Sequence, residues 1–504
     1  MLRICLVNMP FASLRIPSLA LSQLETILNK FGQQVAVEVL YLNQDFGRFM
    51  GPKFYEHIAE AEHNTALGEW FFRQAAFPEL PDNDEKYFRR FFPQHSLESD
   101  AIRQRVKKKR GQLNDFMDKL IAQYNLAEAD IVGFTSMFSQ NVACFGLARK
   151  IKEKNPKAIV VMGGANCESP MGQEIAMRFR QIDFVFSGPA LISFQQFVQS
   201  CLDGRRQEAH RIKGVFSYEN CSAPLPQARL GETKPVSFIG DELSIDETIP
   251  LDYGPFLNRL EANFPNNKLS PILLFETSRG CWWGEKAHCT FCGLNGATMG
   301  YRAMSPERAL RQFETLFKYA SRCSYFQCVD NILDEKYLEE VFPRLETPSN
   351  VGIFYEVKAD LTAEDFKTLA KAGVNSIQPG VESLATSTLK LMRKGTNVFQ
   401  NLSLLKNCVT YDIKPSWNLL VGFPGEGEEV YKKYVQDLPL LRHLPPPSGV
   451  FPVRFDRYSP YFVQAAHYGL DLHPIDYYEL IYPFDEEVLS NLAYYFSDRN
   501  LNSE

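Results

Sequence analysis

Two series of short apolar runs that alternate with helix-like stretches are the feature that most limits what this chain can fold into. The first series lies within residues 1–200, and the second runs from about residue 271 to residue 454. Strands that alternate with helices form parallel sheets that carry helices on their faces. The sequence therefore predicts an α/β protein built around two parallel sheets.

The first series predicts a Rossmann-like, doubly wound domain. Its strand candidates are residues 3–8, 35–42, 131–135, 158–162 and 184–186, and its helix candidates are residues 20–30, 142–153 and 172–179. Between the second and third strands, at about residues 45–125, an aromatic and charged stretch predicts a helical insertion.

The second series predicts a partial TIM barrel of the (β/α)6 type over residues 266–460. Its strand candidates are residues 272–277, 325–329, 352–357, 376–379, 417–421 and 449–454. Residues 201–265 have weak periodicity and are predicted to be a linker with short strands. The aromatic-rich residues 461–504 are predicted to form a short C-terminal cap.

Charge and hydropathy limit where the protein is expected to be located and which classes of partner it is expected to bind. The 504 residues carry a net charge of −6, which argues against general electrostatic binding of nucleic acid. No apolar run approaches the ~20 residues that a membrane span needs. The opening residues MLRICLVNMP lack the cleavage site of a signal peptide, so a cytoplasmic location is expected.

One group of cysteines is spaced for chemistry. Of eleven cysteines, only Cys281, Cys289 and Cys292 form a tight cluster, with the spacing CX7CX2C. They directly follow the first predicted barrel strand, where barrels place their active sites. Three thiolates hold three irons of a [4Fe-4S] cluster and leave the fourth iron open to a substrate or cofactor.

Two other interpretations of these cysteines remain open. A structural zinc site would use the same three cysteines with His288, although His288 adjoins Cys289 and makes joint tetrahedral ligation awkward. Alternatively, the three are ordinary buried cysteines. The position after the first strand favours the open iron–sulfur cluster.

The cysteine motif resembles that of the radical S-adenosylmethionine (SAM) superfamily, in which a triplet ending in C-X-aromatic-C follows the first barrel strand. The usual spacing there is CX3CX2C. The longer insert here, with Trp282 and Trp283 and the ending HCTFCGLNG, resembles cobalamin-binding radical SAM proteins of the RiPP maturation radical SAM protein 1 type, which are similar to peptide C-methyltransferases. By this resemblance, Phe291 would pack near the adenine of SAM.

The resemblance also implies SAM contacts at the later strand ends. Asp330, after the second strand, would offer a polar edge to the SAM amino group. Glu356 and Lys358, at the third strand, would bind the methionyl ammonium and carboxylate. The segments QPGVES and NLLVGFPGE resemble family elements at strands four and five, and they imply further contacts at Gln378, Glu382, Ser383 and Asn418. A glutamate or glycine at any single strand end is more often a helix cap or a turn.

The first domain resembles cobalamin-binding domains. Small and polar residues at strand ends leave the crevice of a doubly wound sheet open to a large ligand. No GxGxxG follows the first strand, which disfavours a nicotinamide or flavin dinucleotide, and no DxHxxG is present, which implies cobalamin without a histidine ligand. A sheet that binds nothing is the alternative. The implied contacts are Met9, Pro10, Thr135, Ser136, Gln140, Gly163, Gly164, Ala165, Ser187 and Gly188.

Two further segments have weaker interpretations. The basic run at residues 107–110 suits an acidic peptide, although a solvated helix face is the simpler explanation. The segment RFDRYSPY, after the sixth strand, resembles a subfamily element at the barrel mouth, and Tyr458 is its one candidate for a catalytic contact with substrate.

The resemblance implies an enzyme that methylates an unactivated sp3 carbon of a ribosomally synthesised peptide through a 5′-deoxyadenosyl radical and methylcobalamin. Its cofactors would be a [4Fe-4S] cluster, SAM and cobalamin. Its partners would be a precursor peptide and an external electron donor such as flavodoxin or ferredoxin, with neither nucleic acid nor a membrane involved. The alternatives are cyclopropanation or other ring formation, epimerisation or a crosslink with the same cofactors, and a non-catalytic zinc-stabilised peptide-binding protein.

Overall fold

The computed structural model describes residues 1–93, 97–221, 238–265, 269–296 and 298–500. Residues 222–237 of the predicted linker lie outside this range. The chain divides into two compact units that are discontinuous in sequence. The first unit contains residues 1–243, 249–269 and 474–494, and the second contains residues 244–248, 270–473 and 495–504. The predicted boundaries at residues 200, 265 and 460 stay predictions.

The first unit is built on a six-stranded sheet with the order β2-β1-β3-β4-β5-β6. The first five strands are parallel, and the short β6 pairs antiparallel with β5. The strands are β1 (Leu2–Asn8), β2 (Val35–Leu40), β3 (Ile131–Thr135), β4 (Ile159–Gly163), β5 (Phe184–Phe186) and β6 (Val215–Phe216). Most residues of β1, β3, β4 and β5 are buried because helices cover both faces of a parallel sheet, whereas the central residues of β2, at the sheet edge, are half-buried or exposed.

The helices that belong with this sheet are Leu19–Leu28, Asn141–Lys154, Met171–Arg178 and Ser193–Leu202, and a helical insertion follows β2. The helix Gly254–Asn263 contacts the insertion through an ion pair between Arg259 and Asp45. The insertion contains Leu42–Met50, Pro52–Glu56, Leu67–Phe71, Arg73–Ala76, Asp84–Phe91, Leu97–Gly111 and Leu113–Gln123. Aromatic packing holds the insertion together, since the Trp70 and Tyr87 rings stack at 4.1 Å.

Two side chains of the basic run at residues 107–110 form ion pairs within the helical insertion. Lys107 pairs with Asp84 at 2.7 Å. Arg110 pairs with Asp82 at 3.0 Å and lies 3.9 Å above the Trp70 ring. These contacts give the run a structural role in the helical insertion.

A late segment of the chain returns to the first unit. Its helices are Tyr477–Ile481 and Glu486–Leu492. The Phe484 ring lies 6.4 Å from Phe77 and 5.8 Å from Phe179. The amide of Asn491 donates to Glu174 at 2.9 Å. Residues 474–494 therefore complete the core of a unit that begins at residue 1.

The second unit contains five parallel strands in the order β13-β12-β11-β10-β7 and a parallel pair, β14 and β15. Two further small sheets, β8-β9 and β16-β18-β17, complete it. The strands are β7 (Leu273–Phe275), β8 (Ser278–Arg279), β9 (Arg302–Ala303), β10 (Tyr325–Cys328), β11 (Gly352–Val357), β12 (Val374–Pro379), β13 (Lys414–Pro415), β14 (Leu419–Val421), β15 (Val450–Pro452), β16 (Phe455–Asp456), β17 (Leu472–Pro474) and β18 (Tyr495–Asp498).

Helices connect these strands in the alternation that the sequence predicts. They are Trp282–Ala287, Pro306–Phe317, Tyr337–Glu340, Ala363–Lys371, Thr386–Leu391, Val398–Thr410, Glu428–Asp437 and Pro460–Val463. The predicted fold class, a Rossmann-like sheet followed by a partial barrel, is confirmed. No helix of the described residues has both the length and the apolar character to cross a membrane.

The fifth barrel strand differs from its prediction. The sequence predicts one strand at residues 417–421, but β13 pairs with β12 and β14 pairs with β15 instead. Pro415 lacks the N–H group that a continuous ladder needs. The Ser416 amide still donates to Ile377 at 2.8 Å, and the chain then turns to the next pair.

Candidate functional site

The site begins where β7 and β10 end. The Thr277 amide and hydroxyl both donate to the Asp330 carboxylate, at 2.7 and 2.5 Å. The Tyr337 hydroxyl donates to the Thr277 carbonyl at 2.9 Å. Burial raises the pKa of Asp330 to about 6, even though the bonds from Thr277 act to lower it. Asp330, predicted to face the SAM amino group, thus holds the backbone that leads into the cysteines.

The cysteine loop, residues 281–292, carries the three predicted ligands. Cys281 caps the helix Trp282–Ala287, and its sulfur accepts a bond from the Gly284 amide at 3.3 Å. Burial raises the pKa of Cys292 to about 12, and the neighbouring Cys289 adds to that rise. All three side chains are half-buried. The loop therefore brings three thiols within electrostatic reach of one another.

His288, the candidate fourth ligand of a zinc site, is already engaged. It takes a positive φ of 33° at the end of the helix, and its Nε2 lies 2.9 Å from the Cys292 carbonyl oxygen. Within the described residues, no three His, Cys, Asp or Glu side chains are arranged to hold a single metal ion. A four-iron cluster uses one cysteine per iron, so its ligands need not converge on one point.

The segment 391–395 packs directly against the cysteine loop. The Thr290 amide and hydroxyl donate to the carbonyls of Met392 and Leu391, at 3.0 and 3.1 Å. The Trp283 indole N–H donates to the Arg393 carbonyl at 3.1 Å. Gly395 has a φ of +69°, and a Cβ there would lie 2.1 Å from the Trp283 ring. A glycine is required at this position for the two segments to meet.

Lys394, in this segment, is a site residue to which sequence analysis assigned no role. Its Nζ lies 3.5 Å from the Glu382 carboxylate and 5.8 Å from the centre of the Phe291 ring. Burial by itself lowers the pKa of Lys394, but Cys289, Glu382 and Cys292 together raise it above its ordinary value. The contacts come from distant segments, so a single lysine in the sequence gives no local sign of them.

Lys358 is predicted to bind the SAM carboxylate, and this role stays a prediction. Its ammonium pairs with Asp360 and lies 4.6 Å from the centre of the Trp283 ring. Glu356 is half-buried, and burial raises its pKa to about 7, with a further rise from Glu382. Glu356 and Gln378 are opposite each other in the register of β11 and β12. The structure thus places Glu356, Glu382 and Lys394 within electrostatic reach of one another.

The other predicted SAM residues differ in burial and in the contacts that they make. Phe291 is half-buried and makes an edge contact with Phe423 at 5.8 Å. Ser383 is fully buried, and its hydroxyl lies 2.8 Å from the Tyr434 hydroxyl, which is a packing role. Gln378 and Asn418 are exposed.

Tyr458 follows β16 in a backbone conformation with a φ of 72°. Its side chain is half-buried. The preceding residue touches the end of the cysteine segment, because a Cβ on Gly293 would lie 2.2 Å from the Arg457 carbonyl oxygen. Tyr458 therefore directly follows a residue that touches Gly293, next to Cys292. Its predicted contact with substrate stays a prediction.

In the first unit, the predicted cobalamin residues lie at the carboxyl ends of β1, β3, β4 and β5, and several of them brace one another. The Ser136 hydroxyl donates to Asn141 at 2.7 Å. The Gln140 amide donates to Asn8 at 3.0 Å and to the Met9 carbonyl at 2.7 Å. Met9 and Pro10 are buried, whereas Thr135 and Ala165 are half-buried.

The glycines at this edge permit close backbone approach. Gly164 has a φ of +108°, and a Cβ there would lie 2.4 Å from the Ser136 carbonyl oxygen. Gly188 has a φ of +75°, and a Cβ there would lie 2.4 Å from Ile239. A Cβ on Gly163 would meet no atom closer than 3.6 Å. The Ser187 hydroxyl accepts a bond from the Ser169 amide at 3.1 Å.

Two exposed apolar side chains at the same edge were missed by sequence analysis. Met137 and Phe138 follow β3 and are 54% and 37% exposed. Exposed apolar groups beside a crevice are typical of ligand sites. The available signal was two apolar residues placed directly after a strand end, between polar neighbours.

Residues 275–438 match the family model of the radical SAM superfamily. An uncharacterised methyltransferase of Pyrococcus horikoshii is 25% identical over 317 residues, which are 60% of this chain and 62% of that protein. The 4'-phospho-dehydrooxetanocin synthase of Priestia megaterium is 26% identical over 185 residues, which are 31% of this chain and 24% of that protein. The matches span less than two thirds of these curated relatives.

Two solved structures share the fold over most of the chain. OxsB, a cobalamin-dependent SAM radical enzyme with aqua-cobalamin bound, has a TM-score of 0.60 and 15% identity, covering 99% of this chain and 64% of that one. TsrM, a radical SAM methyltransferase of Kitasatospora setae with cobalamin and a [4Fe-4S] cluster bound, has a TM-score of 0.59 and 18% identity, covering 92% and 78%. At this level of identity the likeness establishes the fold.

Proposed function

We propose that this chain, whose residues 275–438 form a radical SAM domain, is a cobalamin-dependent radical SAM enzyme of the methyltransferase type. Its substrate would be a ribosomally synthesised peptide, methylated at an unactivated sp3 carbon. The observation that carries the proposal is the loop that holds Cys281, Cys289 and Cys292 together after the first barrel strand.

The donor set fits an iron–sulfur cluster. Three half-buried thiols lie near one another, and the buried ammonium of Lys394 offsets the negative charge that three thiolates carry. The Gly284 amide already directs a hydrogen bond to one sulfur. Hydrogen bonds and nearby charge are the means by which proteins adjust such clusters.

The polar groups near the cysteines fit the amino-acid end of SAM. A carboxylate binds an ammonium, and an ammonium binds a carboxylate. Glu356 and Glu382 supply the first kind of group, and Lys394 joins Lys358 as a candidate for the second. Phe291 offers an aromatic ring beside them.

The edge of the first sheet fits a large, flat ligand. Gly163 carries no side chain at the strand end, and Met137 and Phe138 offer apolar surface there. The OxsB and TsrM structures contain bound cobalamin, which supports the same ligand for this chain.

When bound, the three cofactors would supply radical formation and a methyl group. The chain itself holds the cysteine loop through Thr277 and Asp330. Glu356 and Lys394 would orient the charged ends of SAM. The peptide substrate rests on the resemblance of the loop insert and its ending HCTFCGLNG to peptide-modifying relatives. Ring formation, epimerisation and crosslinking would use the same residues.

Metal analysis of anaerobically purified protein tests the proposal. We expect about four irons with sulfide per chain and loss of the cluster in Cys292→Ala. The control is Cys201→Ala, because Cys201 is a similarly half-buried cysteine in the first unit. Zinc without iron would replace the proposal with the peptide-binding alternative.

Cobalamin uptake tests the second half of the proposal. Purified protein incubated with hydroxocobalamin should show the absorption bands of the cofactor after gel filtration. Substitution of Gly163 by Leu adds a large side chain at the strand end and should reduce uptake, whereas the cluster should be unchanged. A chain with its cluster intact and no cobalamin uptake would contradict the methyl-transfer assignment.

A further inference from the structure

A cleft of about 660 Å³ lies against the cysteine loop. Residues 283–288 form one wall, and Leu389, Lys390, Arg393, Gly395 and Thr396 form the other. None of the predicted SAM residues lines it. The cleft is therefore a different surface of the loop from the one that carries the candidate SAM groups.

The cleft is rich in positive charge, although the chain as a whole is negatively charged. Lys286, Lys390 and Arg393 are exposed cations at its walls, whereas the chain as a whole carries a net charge of −6. None of the three forms an ion pair with another described residue. The one carboxylate of the cleft, Glu285, accepts a bond from the Tyr301 amide at 2.7 Å. This local positive charge favours an acidic partner.

The walls of the cleft touch the predicted cluster ligands. The Gly284 amide lies 3.3 Å from the Cys281 sulfur. His288 precedes Cys289 and lies 2.9 Å from the Cys292 carbonyl. An electron that enters at the cleft therefore has only the loop itself to cross before it reaches the cysteines.

We propose that this cleft is the docking site of an acidic protein that delivers single electrons to the cluster. The step moves one electron from the carrier to the cluster, so the carrier is oxidised and the cluster is reduced, and no bond forms or breaks. Transient redox complexes bury small interfaces, which suits a cleft of this size. Charge steering of the encounter gives a fast association that weakens with salt. This inference rests on the proposed function because it requires a cluster at Cys281, Cys289 and Cys292.

The test compares two double variants of the full-length holoenzyme. Lys286→Glu with Lys390→Glu reverses two charges of the cleft. Lys371→Glu with Lys406→Glu is the matched control, because both lysines are exposed on helices of the same unit and neither lines the cleft. Cluster reduction by photoreduced flavodoxin is followed anaerobically by absorbance at low ionic strength. We expect at least a tenfold lower second-order rate constant in the cleft variant and no comparable change in the control.

Two further measurements separate docking from damage to the cluster. Reduction by dithionite, a small reductant, should proceed equally in both variants, and added salt should narrow their difference with flavodoxin. Equal rates with flavodoxin, or an equal slowing with dithionite, would overturn the docking site. Iron analysis is done first, so a chain without a cluster is recognised as a failure of the proposed function itself.

Discussion

At the scale of single residues, the most informative side chain is Lys394. It is a buried cation that faces both Glu382 and the cluster cysteines. This ion pair forms only when the segments that carry Glu382 and Lys394 meet in the folded chain. The family resemblance implied Lys358 as the partner of the SAM carboxylate, and in the folded chain Lys358 pairs with Asp360.

Replacing Lys394 by methionine should make the reduction potential of the cluster more negative. Reduction adds an electron to a group already held by three thiolates, and a nearby positive charge stabilises that state. A tenfold change in the reduction equilibrium corresponds to about 59 mV for one electron. The potential is measured by redox titration with electron paramagnetic resonance. Lys394→Arg keeps the charge and should restore the potential, and a Met variant with an unshifted potential would remove Lys394 from this role.

A second prediction at this scale concerns Gly395. Gly395→Ala adds a Cβ at 2.1 Å from the Trp283 ring and also strains a residue with φ +69°. Gly469→Ala is the matched control, since Gly469 has the same φ and no atom within 4 Å. The control should lose about 1 to 2 kcal/mol of unfolding free energy from its backbone alone. Gly395→Ala should lose roughly 1 to 3 kcal/mol more from overpacking. Denaturant unfolding and iron content measure both effects, and equal losses would contradict the packing argument.

At the scale of elements, a buried carboxyl group, that of Glu69, joins the insertion to a helix of the first sheet. Glu69, in the helix Leu67–Phe71, accepts bonds from the Asn141 and Val142 amides at 2.8 Å each, at the start of the helix Asn141–Lys154. Burial raises the pKa of Glu69 to about 8, although both amides act to lower it. The contact between the insertion and the helix Asn141–Lys154 therefore depends on whether Glu69 is protonated.

The raised pKa of Glu69 determines whether the free energy of unfolding rises or falls with pH. Between its ordinary value of 4.5 and about 8, Glu69 holds its proton in the folded chain but has released it in the unfolded chain. The free energy of unfolding should therefore fall as pH rises through this window. Glu69→Gln should flatten that fall, whereas Glu79→Gln, at an exposed glutamate, should not. Urea unfolding at several pH values decides this, and parallel curves for wild type and Glu69→Gln would refute it.

Periodicity predicted most helices and parallel strands of both sheets because each strand carries its own apolar run. It failed at the fifth barrel strand, where the position of Pro415 in the ladder decides which neighbour each half pairs with. It placed the cysteines after the first barrel strand, but it did not predict the segment 391–395 that packs against them. Contacts between distant segments depend on the tertiary fold and leave no local pattern.

At the scale of the whole molecule, residues 474–494 belong to the core of the unit that starts at residue 1. An apolar, aromatic segment near the end of a chain gives no sign of which core it joins. Tyr482 is buried in the first unit, whereas Phe366 is buried in the second. The two rings offer a direct test of this division.

Tyr482→Ala and Phe366→Ala should loosen different parts of the chain. Each removes a buried ring at a cost of about 3 to 5 kcal/mol. Hydrogen–deuterium exchange should rise mainly within residues 1–243 for Tyr482→Ala and mainly within residues 270–473 for Phe366→Ala. The same exchange pattern in both variants would show that the two units unfold as one.

The return of residues 474–494 also sets the timing of folding on the ribosome. More than two hundred residues separate the end of the second segment of the first unit, at Leu269, from the segment that completes its core. At roughly 5 to 20 residues per second, that interval is on the order of ten to forty-five seconds. During synthesis, Phe77 and Phe179 therefore lack their contact with the Phe484 ring, and the first unit stays incomplete until residues 270–473 of the second unit have been made.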